Sequence, residues 1–320
     1  MSPRAIAPAR RLDHSALMFV LAHISDPHLP PLPAPRCSEL RTKRLGGFIN
    51  WQRKRRDIHV LDTLERLVAH VREQNPDHIA VTGDLINLAL PEEFPAGHTW
   101  LKNLGSARDV TFVAGNHDAY VRRMEGEPAR HWGEYMTGDD QQDVAFPFVR
   151  RRGPVAIIGL STAVAAPWFR ATGRLGKEQI EGLRETLTRL GAEGAFRIIA
   201  IHHPPESEPR RQSERLLDGG PLLAAIAHAG AELLIHGHEH IHSVSWFDAG
   251  GRRVPAVGVP SASATAGGHW QAAGYNLYRI EGAPGAWDCE MISRQLGADG
   301  SWTDLGRRRL ARRGRAPAAL

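Results

Sequence analysis

Five short apolar runs in this chain each break off into a cluster of Asp, Asn or His: FVLAHISDPH (19–28), HIAVTGD (78–84), DVTFVAGNHD (109–118), FRIIAIHHPP (196–205) and AELLIHGHEH (231–240). Runs of this length and composition read as buried strands. The segments between them carry a helical period instead. In VLDTLERLVAHVREQ (60–74), Val60, Leu61, Leu64, Leu67, Val68 and Val71 fall on one face at a spacing of about 3.6. Helices are also expected at 92–104, 176–191 and 221–230, and a further strand in GPVAIIGLST (153–162). Strands alternating with helices imply an α/β fold with parallel pairing, because parallel neighbours need a crossover between them. Beyond residue 243 the pattern turns to hairpins, with Gly250 and Gly251 between two short strands. No repeat or strong linker divides the chain, which points to one compact domain. Open α/β sheets gather their reactive groups at the carboxyl ends of strands, and that is where this chain puts its polar residues.

The densest of those clusters is LLIHGHEHIHS (233–243), with His236, His238, His240 and His242 at every second position. Side chains two apart in an extended chain share a face. Gly237 offers a bend that lifts the later histidines off the strand. Alone, the tract fits metal ligands, a titrating cluster or a His-rich turn.

Read in order, the strand ends are Asp26 and His28 in DPH, Asp84 in GD, Asn116 with His117 and Asp118 in GNHD, His202 and His203 in HH, and His238 with His240 in GHEH. This series resembles the calcineurin-like metallophosphoesterase family, over roughly residues 19 to 265, with its DxH, GD, GNH[DE], H and GHxH motifs in that order. The resemblance implies a four-layer α/β sandwich: two mixed β-sheets flanked by helices, with a dimetal site at the strand carboxyl ends. It implies two divalent or trivalent metal ions (Mn, Fe or Zn). Asp26, His28 and His240 would serve one ion, Asn116, His202 and His238 the other, and Asp84 would bridge them. Two close cations of this kind clamp a phosphate and activate water, and mixed imidazole and carboxylate donors suit such metals. His117 is the family's catalytic histidine by the same resemblance, expected to stabilise the transferring phosphate and protonate the leaving oxygen, with Asp118 beside it helping to position that loop. The implied mechanism is in-line attack by a metal-bound hydroxide without a covalent enzyme intermediate.

Within the family, GDLINLALPEEF, GNHDAYV, HHPP and the closing VPSASA resemble the bacterial cyclic-nucleotide-phosphodiesterase branch, which implies a small phosphodiester or nucleotide-type substrate. An alternative is a membrane-surface UDP-2,3-diacylglucosamine pyrophosphatase of lipid A synthesis. A non-catalytic scaffold of the same fold is a third reading, weakened by retention of every ligand position. Nucleic acid is not expected as partner, since no RNA- or DNA-binding module is recognisable.

Composition refines the partners. The net charge of +5 is local: the tail 306–320 holds six Arg and no acid, and residues 36–56 hold eight basic residues against Glu39 alone. The expected organisation is an N-terminal extension (1–18), a phosphoesterase domain (19–300) with a basic aromatic insert (36–56), and an Arg-rich, disordered tail (301–320). In the insert, Phe48, Ile49 and Trp51, flanked by Arg41, Lys43, Arg44 and Arg53 to Arg56, either form a solvated entry to a helix or face an anionic substrate or membrane surface. Trp168 and Phe169 either line the site or pack the domain, and packing is the preferred reading because aromatics mostly serve cores. His203 is a candidate substrate contact or support behind the ligands, His236 and His242 are structural, and His23 is a satisfied strand histidine. Pro27 should stiffen the turn between Asp26 and His28. Cys37 and Cys289 form no CxxC pair and suit a reducing compartment. The apolar run Ser15 to Ile24 is too short to span a bilayer, for which about 20 residues are needed. The expected location is cytoplasmic, with the insert as a candidate contact to the inner membrane.

Overall fold

The computed structural model describes residues 18–41, 43–206, 212–266 and 270–311. The expected N-terminal extension lies outside these residues except for Met18, and so does the tail beyond residue 311.

Two six-stranded mixed sheets make up the fold. In the first, β1 (Phe19–Ile24), β2 (His78–Val81) and β3 (Val110–Phe112) run parallel. Strands β10 (Gly274–Ala283), β11 (Ala286–Leu296) and β12 (Trp302–Ala311) extend it antiparallel on the other side of β1. In the second, β5 (Val155–Gly159), β6 (Phe196–Ala200), β7 (Leu233–His236) and β9 (Arg252–Gly258) are parallel neighbours, edged by the antiparallel β4 (Phe148–Arg152) and β8 (Ser243–Ala249). The hairpin expected at Gly250 and Gly251 joins β8 to β9.

Period-two alternation sorts the second sheet's strands between two apolar layers. Val155 and Ile157, Phe196 and Ile198, and Leu233 and Ile235 join the core shared with the first sheet, while Ala156, Ile158, Ile199 and Leu234 face the other way. There they meet Leu183, Leu187 and Leu190 of α5 (Lys177–Ala192) and Leu222 and Ile226 of α6 (Gly219–Ala229). Strands buried on both faces explain the unbroken apolar runs in the sequence. On the first sheet, Leu64, Leu67, Val68 and Val71 of α2 (Leu61–Glu73) supply the apolar stripe, while Leu61, also expected on it, is 41% exposed and Val60 precedes the helix.

One expectation changes. The tail is not disordered from residue 301: Trp302–Ala311 is an edge strand on β11. Its arginines meet acids there, Arg307 with Glu290 and Arg309 with Asp288. The basic insert, expected as a helix entry or a binding face, is largely helical among its described residues. It forms α1 (Lys43–Asn50) and then a π-helical turn, Trp51–Arg55, closed by Arg56 N–H donating to Trp51 O at 2.9 Å. Among the described residues no helix is long and apolar enough to cross a membrane.

Candidate metal centre

Each strand that leads into a motif stops short of it: β1 at Ile24, β2 at Val81, β3 at Phe112, β6 at Ala200 and β7 at His236. The reason is backbone geometry. Asp26, His28, Asp84, His238 and His240 all have positive φ (51°, 41°, 51°, 69° and 56°), a conformation that non-glycine residues rarely adopt. Such conformations persist where surrounding contacts over-determine them, commonly at functional sites. Here the contacts are Asp26 N–H to Gly83 O at 3.0 Å and His28 N–H to Asp84 O at 3.0 Å, which zip the first two motif loops together. Pro27 therefore sits between two left-handed residues and does not keep Asp26 extended.

The His tract converges by the same device. In an extended run, His238 and His240 would stand about 6.6 Å apart along one face. They lie instead beyond the end of β7, in left-handed turns that aim one ring at His202 and the other at Asp26. Gly237 is needed for close approach and not for its φ: a Cβ there would lie 1.9 Å from Ser25 Oγ and 2.5 Å from Asp26 Oδ2. Gly115 is similar, its Cβ position falling 2.3 Å from Asp84 Oδ1.

The side chains form two adjoining sets. In one, His240 Nε2 lies 3.0 Å from Asp26 Oδ1 and 3.4 Å from His28 Nε2. In the other, His202 Nε2 lies 3.3 Å from Asn116 Oδ1 and 3.3 Å from His238 Nδ1. Asp84 stands between them, its Oδ2 3.2 Å from His202 Nε2 and 3.9 Å from His28 Nε2. Bonds of about 2.0–2.2 Å to one ion hold neighbouring donors roughly 3–3.5 Å apart, so both sets fit. The proton positions fit too. His28 Nδ1 faces Ile86 O, His202 Nδ1 faces Thr82 O and His238 Nε2 faces Glu214 O, all carbonyls that only accept. The inward nitrogens are left as lone pairs facing other acceptors, an arrangement that calls for a cation. In the metal-free protein a proton serves instead. Burial alone would lower His202, but the charge and hydrogen bond of Asp84 push it up to about 9. Burial would raise Asp84, yet His202, His117 and His28 hold it well below the usual carboxylate range.

A sequence profile of the calcineurin-like phosphoesterases matches residues 19–242. This chain belongs to the calcineurin-like phosphoesterase family. A probable cyclic nucleotide phosphodiesterase of Synechococcus sp. (strain WH7803) is 26% identical over 234 residues, covering 69% of this chain and 74% of that protein. A second protein of that name, from Synechococcus sp. (strain ATCC 27144 / PCC 6301 / SAUG 1402/1), is 27% identical over 177 residues, 53% of this chain and 60% of its own length. The fold is shared with a dimetal phosphatase from Danio rerio at TM-score 0.60 and 13% identity, covering 92% of this chain and 99% of that one. The family places this chain among metal-dependent phosphoester hydrolases.

The remaining motif residues have distinct surroundings in this phosphoesterase. His117 Nδ1–H donates to Asn87 O at 2.5 Å, and its Nε2 accepts from Arg55 Nη1 at 3.0 Å. Burial and the Arg55 charge, opposed by Asp84, leave its pKa lowered to about 4. Asp118 touches neither His117 nitrogen. Its two oxygens accept the N–H groups of Ile86 (3.1 Å) and Gly115 (2.8 Å), which ties the second and third motif loops together. Burial and the nearby Asp84 raise its carboxyl to about 8. His203 is not a free donor, since Thr162 Oγ1 (2.7 Å) and Ala171 O (2.9 Å) occupy both of its nitrogens. His23 is satisfied by Thr82 and Tyr278, and His236 faces Gly237 O.

Several site residues were not apparent in the sequence. His59 packs against His28 with ring centroids 4.6 Å apart and planes tilted by 52°, and Ser263 Oγ holds its Nδ1 at 2.8 Å. Glu93, buried, accepts the N–H groups of Asn87, Leu88 and Leu90, fixing the loop whose Asn87 carbonyl orients His117. The basic insert divides its residues in a way its composition does not reveal. Arg44 is buried and donates to the Leu88 and Ala89 carbonyls, and Phe48 and Trp51 pack toward the core. Lys43, Trp51 and Arg55 wall a cleft of about 330 Å³ that also exposes Asn116 and His117. Trp168 and Phe169 line the same cleft and do not pack into the domain: they are 53% and 93% exposed. Phe169 has φ 58°, and the left-handed turn presents its ring outward.

Proposed function

We propose that this chain is a phosphodiesterase that hydrolyses a small phosphodiester of cyclic-nucleotide type with the help of two metal ions. The observation that carries the reading is the pair of inward donor sets sharing Asp84, with His117 beside them at the floor of a cleft. The likeness to the two Synechococcus proteins, each a probable cyclic nucleotide phosphodiesterase, supports the diester preference. Asp26, His28 and His240 would hold one ion, Asn116, His202 and His238 the other, with Asp84 between. The bound ions would supply Lewis acidity, activating water and offsetting phosphoryl charge.

The chain's own residues do the rest. Asp84 Oδ1 accepts the His117 N–H at 2.7 Å, so the residue between the donor sets also sets the position of the histidine. Asn87 O keeps one His117 proton on Nδ1 and leaves Nε2 facing the cleft, where the doubly protonated ring can give its Nε2 proton to a leaving oxygen and the neutral ring regain one from water. Asp118 acts by position, through the Gly115 and Ile86 amides, and reaches no substrate. The retained donors argue against a scaffold without turnover.

The test is hydrolysis of bis(p-nitrophenyl) phosphate beside p-nitrophenyl phosphate, after chelation and Mn²⁺ re-addition. Metal-dependent cleavage favouring the diester supports the proposal. A preference for the monoester removes the diesterase assignment, and no metal-dependent turnover on either ester or on cyclic nucleotides removes the catalytic one.

One observation favours a second reading, an amphiphilic substrate such as UDP-2,3-diacylglucosamine drawn from a membrane surface. Leu45 and Ile49 on α1 are 46% and 42% exposed, Trp168 and Phe169 stand out at the cleft mouth, and Arg53, Lys54 and Arg56 are exposed on the same insert. Deleting 36–56 would remove Arg44, Phe48 and Trp51 from their packing. The cleaner test is therefore Trp168→Ser with Phe169→Ser, read by co-sedimentation with anionic lipid vesicles. Loss of binding favours this reading, and absence of wild-type binding excludes it.

A further inference from the structure

We infer that Arg55, carried by the insert and lying outside the five motifs, is a substrate-binding residue whose guanidinium holds the reacting phosphoryl group beside His117. The inference rests on the phosphoester reading of the same cleft.

Local structure delivers the residue. α1 runs directly into the π-helical turn Trp51–Arg55, and such widened turns recur at functional sites. Trp51 and Arg55 stand at the two ends of that turn and both face the cleft, along with Lys43 and Gly46 on the preceding helix. The helix is pinned in place: a Cβ on Gly47 would meet Tyr120 Oη at 2.3 Å, and Arg44 is fastened to the Leu88 carbonyl at 3.0 Å. Arg55 is thus presented on a fixed wall and not on a free loop.

Chemistry supplies the second argument. Arg55 Nη1 donates to His117 Nε2, a neutral imidazole nitrogen. A phosphoryl oxygen is a stronger acceptor for a guanidinium, whose fork can bind two such oxygens at once. Phosphate entering the cleft would take up the guanidinium and release His117 Nε2 to face the leaving oxygen. The other cation on this wall is committed elsewhere, since Lys43 Nζ donates to the Ala166 and Arg170 carbonyls, both at 3.1 Å, and lies 4.5 Å above the Tyr120 ring.

The experiment compares wild type, Arg55→Ala and Arg55→Lys, each reconstituted with Mn²⁺. Inorganic phosphate binding is measured by calorimetry, metal content by elemental analysis, and kcat and KM on bis(p-nitrophenyl) phosphate. The expected result is unchanged metal content, phosphate binding weakened at least about tenfold in Arg55→Ala, the size of one lost charged hydrogen bond, and a raised KM. Arg55→Lys should fall between the two, having charge without the fork. Phosphate affinity within about twofold of wild type in Arg55→Ala overturns the inference, and so does a lowered kcat at unchanged KM and unchanged phosphate affinity, because Arg55 would then only position His117. A wild type that fails to bind phosphate overturns it too. Phosphate binding that depends on Arg55 in a protein without turnover on any ester would support the inference while removing the proposed activity.

Discussion

The substitution Gly237→Ala adds a single methyl group at the most crowded point of the site. Its Cβ would stand 1.9 Å from Ser25 Oγ and 2.5 Å from Asp26 Oδ2, where ordinary contact begins at 3.4 Å. Ser25 must yield by about 1.5 Å and the Asp26 carboxylate by about 0.9 Å, and both side chains are fully buried. Neither has slack: Ser25 Oγ donates to Thr82 O at 3.1 Å, and Asp26 Oδ2 accepts the His238 N–H at 3.1 Å. Metal ligands tolerate displacements of about 0.2 Å, so the Asp26 set should lose its ion. Turnover should drop by at least about 10², the scale of an ångström's misplacement in a site. Overpacking should cost about 1–3 kcal/mol of stability. The control is Gly220→Ala in the helix Gly219–Ala229, away from the cleft, where an added Cβ meets nothing within 4 Å. That variant should keep its metals and turnover and gain at most about 1 kcal/mol from helix propensity. Metal content, diester turnover and urea unfolding are measured on both. A Gly237→Ala protein that retains two ions and wild-type turnover would refute the reasoning that the motif glycine exists to admit the Asp26 carboxylate.

Three further outcomes follow from the same geometry. Asp84→Ala should abolish activity and lower metal content at both positions, and retention of two tightly held ions would break the assignment of Asp84 as the shared ligand. His117→Ala should keep both ions and lose about 10²–10⁴-fold in rate, as for a missing proton-transfer group, whereas loss of metal would make His117 a ligand. The chelated protein should lose stability at alkaline pH. With His202 raised from its ordinary 6.5 to about 9 by Asp84, the stabilisation, roughly 3 kcal/mol, is complete below pH 6.5 and disappears as pH rises through about 9. Urea midpoints of the chelated protein at pH 6.5, 8 and 10 check this, and a flat profile would show that the His202–Asp84 contact does not carry it.

What the sequence reveals about this phosphoesterase divides along a physical line. The donors are legible because each follows an apolar strand and belongs to a residue type that metal chemistry requires, so strand ends and side chains report the same site. The left-handed backbone that brings them together is not legible: alternation in HGHEH predicts a shared strand face, and the convergence comes instead from φ values at His238 and His240 that only the packed loops enforce. The arginines of β12 read as a disordered tail because they were counted as a block. Set against the alternating Asp288 and Glu290 of β11, they form cross-strand ion pairs. The insert misleads for the opposite reason. Its charge density suggests a single basic face, yet Arg44 is spent on backbone carbonyls, Lys43 is held by two more, Arg53, Lys54 and Arg56 face solvent, and Arg55 enters the cleft. Composition weighs these side chains equally, while the helix and its widened turn assign each a different neighbour. The aromatics show the same limit. Trp51 packs as its type suggests, but Trp168 and Phe169 are exposed beside the cleft, Phe169 in a left-handed conformation, against the usual preference of such rings for burial. Large apolar rings kept in water beside a site are informative because burial would have been favourable, so departures of this kind are where substrate contacts are best sought.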